Sequence, residues 1–207
     1  MKSKLITIDG AAILVWELTE SIESLKLQLH LTDSDRSVFD KIVSDKRKLE
    51  FLGIRIALQT ITGQEILIQY DEGGKPYLSD KSYQISISHS NKWIAVIVHP
   101  TKKVGIDIEC PTDKIQKLYK RFLSPIEQKE LSGGNDIHQL LLAWSSKEAL
   151  YKIIGKESID FANQLRIYPF EVKAHGEIRA QHVPTKLNYL LNYQQTEQYT
   201  LVYCMTE

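Results

Sequence analysis

Residues 51–63 read FLGIRIALQTITG and residues 143–155 read AWSSKEALYKIIG. Laid side by side without a gap, they put Ala57 on Ala149, Leu58 on Leu150, Ile61 on Ile153, Gly63 on Gly155 and Arg55 on Lys147. Each is helix-periodic and stops at a glycine, the residue that closes helices most readily. Several strand-like stretches follow each helix, ending in WIAVIV at 93–98 and YTLVYC at 199–204. A tandem repeat of one helix-plus-sheet unit is the simplest account, with two unrelated amphipathic helices as the alternative. The expected fold is α+β, a pseudo-dimer of two similar helix-plus-antiparallel-sheet subdomains at 1–102 and 103–207. The ligand site is then expected in the cleft between them.

The totals bound the function. A chain of 207 residues has ample core for one large domain or two small ones. Its 26 basic and 26 acidic residues cancel, so bulk charge gives no reason to expect nucleic-acid binding. No apolar run is long enough to span a bilayer, and the run before Asp9 is too short for a signal peptide. Cys110 and Cys204 are expected as free thiols of a cytoplasmic protein, although a pair in an oxidising compartment is the alternative. No Cys/His spacing suggests zinc.

Working outward, strands are expected at 11–18, 66–70, 83–88, 93–98, 103–109, 164–168, 171–174, 187–193 and 199–205. Residues 89–92 are read as the hairpin loop after the third of these, and residues 133–135 as a break before a long helix. Helices are expected at 21–30, after the capping cluster at Thr32, and at 45–61, 115–122, 125–131 and 137–154.

Two segments put carboxylates where an apolar element should have none. In the strand around Val104–Glu109, alternation turns Asp107 and Glu109 to one face and Ile106 and Ile108 to the other. Paired hard oxygens suit Mg²⁺ or Mn²⁺, but an Asp-x-Glu strand is also an ordinary solvated acidic edge. In the helix at 137–154, apolar residues cover most of the circumference, while Ser145, Glu148 and Lys152 form one polar stripe. An intrahelical Glu148–Lys152 pair is the plain reading. A buried charged stripe needs partners, and Asp107, Glu109 and a metal would supply them. Lys152 could then hold a phosphate, and Glu148 could be a third ligand or a general base. His89 ends a strand, Gly74-Lys75-Pro76 stiffens a lysine in a loop, and Arg47 and Arg55 project within about a quarter turn of each other. These fit a structural histidine, a solvated turn and a solvated face equally well, or an anion clamp.

The combination Gly105-x-Asp107-x-Glu109, followed by Trp144-Ser145-x-Lys147-Glu148-Ala149-x-x-Lys152, resembles the signature motifs of the 4′-phosphopantetheinyl transferase superfamily. Chain length, the internal repeat, Gly74-Lys75-Pro76 and Ser88-His89-Ser90 resemble its Sfp-type branch, and residues 122–127 resemble the segment between the motifs. The resemblance implies transfer of 4′-phosphopantetheine from coenzyme A to a serine of an apo carrier protein, with release of 3′,5′-ADP. It implies Mg²⁺, with Mn²⁺ as an alternative, on Asp107, Glu109 and Glu148, and catalysis by Glu148, Lys152 and Asp107. It assigns Lys75, Pro76, Ser88 and His89 to the nucleotide end of coenzyme A, with Arg47 and Arg55 adding to that anion site and Lys152 on the phosphate under attack. It implies an apo acyl or peptidyl carrier protein as partner, with Lys114, Lys117, Arg121 and Phe122 as the expected docking face and an ordinary amphipathic surface helix as the alternative; no nucleic-acid or membrane partner is expected, and a duplicated chain is expected to act as a monomer. A noncatalytic coenzyme A- or carrier-binding protein and a metal-dependent phosphoesterase are the other readings.

Overall fold

Asp9 and Gly10 both take positive φ (48° and 83°), forming the two-residue turn between β1 (Lys2–Ile8) and β2 (Ala11–Glu17). Asp-Gly favours this turn because its twist matches that of the flanking strands. The computed structural model describes residues 2–65, 67–131, 134–155 and 158–207. They divide into two units, Met1–Lys102 and Lys103–Glu207. Each carries an antiparallel sheet with helices on it, so the chain is α+β.

In the first unit β2 leads through α1 (Ile22–Lys26) and α2 (Asp33–Asp40) to α3 (Asp45–Thr62). Two short strands follow, β3 (Ile68–Tyr70) and β4 (Pro76–Leu78), and then β5 (Gln84–Ser90) and β6 (Trp93–His99). The sheet order is β1-β2-β6-β5, with β3 and β4 paired apart from it. Ser44 caps α3 through a hydrogen bond from the Arg47 N–H (3.4 Å), and Gly63 ends it at φ 70°. The core packs Leu52, Ala57 and Leu58 of α3 against Leu14, Trp16, Ile94 and Val96.

The second unit runs β7 (Lys103–Glu109), α4 (Ile115–Phe122), α5 (Pro125–Glu130), α6 (Ile137–Ile154) and α7 (Phe161–Gln164). It ends with β8 (Leu165–Ile167), β9 (His175–His182), β10 (Leu187–Gln195) and β11 (Thr200–Thr206). The sheet order is β7-β11-β10-β9-β8, and α6 lies on β7 and β11. Asp136 caps α6, and Gly155 closes it at φ 64°.

The repeated pattern extends well beyond the two helical segments. First residues of three matching pairs stand 92 apart, Ala11 and Lys103 for β2 and β7, Asp33 and Pro125 for α2 and α5, and Asp45 and Ile137 for α3 and α6, whereas the closing strands β6 and β11 start 107 apart. The side-chain caps Thr32 and Ser124, and the closing glycines Gly63 and Gly155, keep that spacing.

Some expectations need correction. The segment 2–8 is a full strand, hidden because its short apolar run was weighed only as a targeting signal. His89 and Ser90 are not loop residues: β5 runs through Ser90, which pairs with Trp93 across the two-residue turn Asn91-Lys92. Residues 171–174 form no strand; there the Tyr193 hydroxyl donates to the Glu171 carbonyl (2.9 Å) and accepts the Lys173 N–H (3.1 Å). The strand lies just beyond, where Ile178, Ala180 and His182 alternate inward. Ile66 and Gly133, parts of an expected strand and an expected chain break, lie outside the described residues. Cys110 and Cys204 are free thiols, and burial pushes Cys204 up to about 12.

Candidate active site

Gly105, Asp107 and Glu109 share one face of β7, the face that α6 covers. A Cβ built on Gly105 would stand 2.1 Å from the Ala149 carbonyl oxygen and 2.8 Å from Ile153 Cγ1. Only glycine lets the helix lie this close. The result is that the two acids face a packed helix rather than open water, and Asp107 is 4% exposed. Ile106 and Ile108, pointing the other way, are fully buried.

From α6 three side chains reach this carboxylate face. Lys152 Nζ donates to the Ile106 carbonyl (2.7 Å) and to Asp107 Oδ1 (2.9 Å). Trp144 Nε1 donates to Glu109 Oε1 (3.3 Å). Glu148, midway between them along the helix, is raised to about 7. Burial is the largest cause, followed by the negative charge of Asp107, while Lys152 opposes both and Glu109 adds to them. Of the charges acting on Glu148, those of Asp107 and Glu109 are negative and that of Lys152 is positive. Ser145, on the same stripe, is fully buried, and its hydroxyl has no hydrogen-bond partner.

Among the described residues no three acidic, histidine or cysteine side chains converge into a closed metal cage. The electrostatics nonetheless couple Glu148 to both Asp107 and Glu109. Glu148 thus feels both acids although the three do not gather into one cage. Such a set fits Mg²⁺, which is commonly held by one or two carboxylates plus substrate phosphates and water.

A second cluster lies in the first unit. Arg47 Nη1 is 3.3 Å from Glu50 Oε2 and 3.3 Å from His89 Nε2, and His89 Nδ1 is 3.4 Å from Glu50 Oε1. Ser88 precedes His89 in β5 and so points to the opposite face of the strand. The Lys75 N–H donates to Asp71 Oδ1 (2.8 Å) in the turn before β4, where Gly74 has φ 78° and Pro76 opens the strand. The structure therefore brings together Arg47 with His89, and Asp107 with Lys152 and Glu148. It does not put Arg55 with Arg47. Arg55 is buried, donates twice to Asp35 Oδ1 (2.9 and 2.7 Å) and stacks on Phe51 at 3.3 Å. It ties α2 to α3, and its place in an anion site is withdrawn.

Phe122 is corrected as well. It is 2% exposed and packs edge-on against Trp144 with ring centres 5.2 Å apart, so it belongs to the core. Lys114, Lys117, Leu118 and Arg121 are exposed on α4. Two structurally decisive residues escaped the sequence reading, Glu50 and Glu127. Glu127 was legible as the last member of the capping box Ser124-x-x-Glu127. Glu50 had no such signal.

Comparison with known proteins points to one superfamily. Residues 103–204 match the family model described as the 4′-phosphopantetheinyl transferase superfamily. That match spans nearly all of the second unit. A 4′-phosphopantetheinyl transferase of Bacillus subtilis is 30% identical over 141 residues, 64% of this chain and 60% of that protein. The 4′-phosphopantetheinyl transferase HetI of a Nostoc species is 31% identical over 100 residues, 44% of this chain and 42% of that one. A phosphopantetheinyl transferase of a Thraustochytrium species is 23% identical over 156 residues, 63% and 54% of the respective chains. The chain spans about half the length of these curated relatives. No helix among the described residues is long and apolar enough to cross a membrane.

Proposed function

We propose that this protein transfers 4′-phosphopantetheine from coenzyme A to a serine of an apo acyl or peptidyl carrier protein, as an Sfp-type member of its superfamily. The observation that carries the reading is Glu148. Its carboxyl lies on the helix face that Lys152 and Trp144 tie to Asp107 and Glu109 of β7, and in the metal-free protein burial and the Asp107 charge raise it to about 7, so it suits a base.

The serine hydroxyl gives its proton to Glu148 as its oxygen bonds to the β-phosphorus of coenzyme A. The bond from that phosphorus to the bridging oxygen breaks, and 3′,5′-ADP leaves. Asp107, Glu109 and Glu148 would hold Mg²⁺, with Mn²⁺ as an alternative. The ion, when bound, supplies positive charge to the pyrophosphate oxygens. Lys152 leaves Asp107 for the phosphate under attack and balances the charge that builds there. Trp144 restrains the Glu109 carboxylate throughout. Arg47, Lys75, Pro76 and His89 of the first unit take the nucleotide end of coenzyme A, whereas Ser88, buried on the opposite face of β5, is not placed with them. The exposed Lys114, Lys117 and Arg121, with Leu118 beside them, receive an acidic carrier helix. The protein works as a cytoplasmic monomer, a setting with which its free thiols accord.

Incubation with coenzyme A, Mg²⁺ and several apo carrier proteins, read by intact mass, tests the proposal. The expected product is a carrier heavier by one phosphopantetheine, absent with Glu148→Gln and with Asp107→Ala. Binding of coenzyme A without any mass gain on any carrier would favour a noncatalytic binding protein instead.

A further inference from the structure

The cluster of Arg47, Glu50 and His89 puts a carboxylate where an anion site should have none. Glu50 is 5% exposed at its side chain, whereas Arg47 is 64% exposed and His89 34%. A buried acid lies beneath two open cationic or polar heads, with Lys46 Nζ also 3.8 Å away. By charge alone, such an acid should weaken the binding of any anion above it.

We infer that Glu50 is a positioning residue that aims Arg47 and His89 at the anionic end of coenzyme A. The inference rests on the function proposed above and deepens it. An arginine only donates hydrogen bonds, so the contact between Arg47 Nη1 and His89 Nε2 requires a lone pair on Nε2. The ring proton then sits on Nδ1, which faces Glu50 Oε1. One carboxylate therefore fixes both the tautomer and the direction of the imidazole, while its other oxygen holds the guanidinium. Arg47 and Glu50 stand one turn apart on α3, and His89 reaches them from β5, so the carboxylate joins two elements at the point where they present donors. Fixing a long, solvated arginine before the ligand arrives removes ordering that binding would otherwise have to impose. That gain outweighs a repulsion that solvent screens at the exposed heads.

The test compares coenzyme A with dephospho-coenzyme A, which lacks the 3′-phosphate, using wild type, Glu50→Gln and Glu50→Asp. Calorimetry gives affinity, and steady-state assays with carrier protein and Mg²⁺ give kcat and KM. Glu50→Gln is expected to raise KM and Kd for coenzyme A about tenfold, with kcat changed less than about threefold. It should change binding of dephospho-coenzyme A little, so the preference between the two ligands collapses. Glu50→Asp should recover part of it. A merely structural glutamate would weaken both ligands alike, and a glutamate acting by charge alone would give tighter coenzyme A binding when neutralised; either result overturns the inference. Wild type that binds no coenzyme A removes the proposed function and this inference together, whereas a normal wild type with an unaffected Glu50→Gln removes only the inference. Should Glu50→Gln not fold, nitrogen shifts of His89 in the wild type decide: a proton on Nε2 in place of Nδ1 overturns it.

Discussion

Lys147 and Glu127 form a fully buried ion pair, Nζ to Oε2 2.9 Å, that closes the free edge of β8. The Lys147 ammonium also donates to the Leu165 carbonyl (2.7 Å), and Glu127 Oε1 accepts the Ile167 N–H (2.7 Å). These are the outward backbone groups of that edge strand, so the pair stands in for a missing neighbour. Lys147 further donates to the carbonyls of Phe122 (2.7 Å) and Phe161 (2.8 Å). One lysine thus gathers α4, α5, α7 and β8 around the middle of α6. Burial lowers it to about 8, with Glu127 opposing, so it stays charged at neutral pH.

Removing one partner leaves a charge with no counterion in the core. Lys147→Met or Glu127→Gln should each lower stability by about 3–5 kcal/mol. The double variant should cost clearly less than the sum of the two. Urea denaturation of the four proteins gives the coupling directly; additive losses would show that the pair is not acting as a unit.

Gly105 sets the distance between helix and strand. Gly105→Ala places a methyl group 2.1 Å from the Ala149 carbonyl oxygen, which is backbone and cannot rotate away. α6 must lift off β7, carrying Glu148 and Lys152 from Asp107. The expected loss is about 3 kcal/mol, at the upper end for overpacking, with transferase activity lost even where the variant remains folded. A shift in thermal midpoint without loss of activity would mean that the close approach serves packing alone.

If Glu148 is the base proposed above, activity and stability oppose each other at this residue. Its folded value of about 7 lies above the 4.5 of an ordinary glutamate. Below about pH 4.5 the group is protonated in both folded and unfolded chains and costs nothing. Between 4.5 and 7 the unfolded chain ionises first, so stability falls as pH rises, and the cost is complete above 7. At full extent it amounts to at most about 3 kcal/mol. Without divalent ions, Glu148→Gln should therefore be more stable than wild type at pH 8 and nearly equal at pH 4.5, while losing transfer activity. Chemical denaturation across that range, in chelator, measures the slope; a parallel pH dependence in both proteins would show that Glu148 ionises freely.

The long helices α3 and α6 were legible because their signals are local, whereas the helix expected at 21–30 is only Ile22–Lys26 and α7 was not expected. Ser44 and Gly63 bracket α3, Asp136 and Gly155 bracket α6, and the apolar period between them leaves little choice. The pairing of Asp107 with Lys152 was also within reach, since alternation in β7 and a polar stripe on α6 both pointed to it. What could not be read was which partner Arg47 and Arg55 each take. Arg47 and Arg55 lie on neighbouring parts of one helix, yet one meets His89 of β5 and the other Asp35 of α2. Nothing local distinguishes them, because the choice is made by elements brought in from far along the chain. The repeat did hold the answer for Arg55: Asp35 stands 92 residues before Glu127, as Arg55 stands before Lys147, so both units bury the same kind of ion pair.

On the proposed function, the exposed side of α4 should separate carrier binding from folding. Lys117 and Arg121 point to solvent beside Leu118, while Phe122 at the end of the same helix fills the core against Trp144. Their substitutions should therefore fail in different ways. Lys117→Glu with Arg121→Glu reverses the local charge without touching the core; the KM for carrier protein should rise about tenfold or more, that for coenzyme A should not move, and added salt should weaken the wild-type interaction. Phe122→Ala should instead cost about 3–5 kcal/mol of stability and lower activity with both substrates by depleting folded protein. Steady-state kinetics in each substrate, set beside thermal melts, separates the two. An unchanged carrier KM in the charge-reversed protein would move the docking surface off α4.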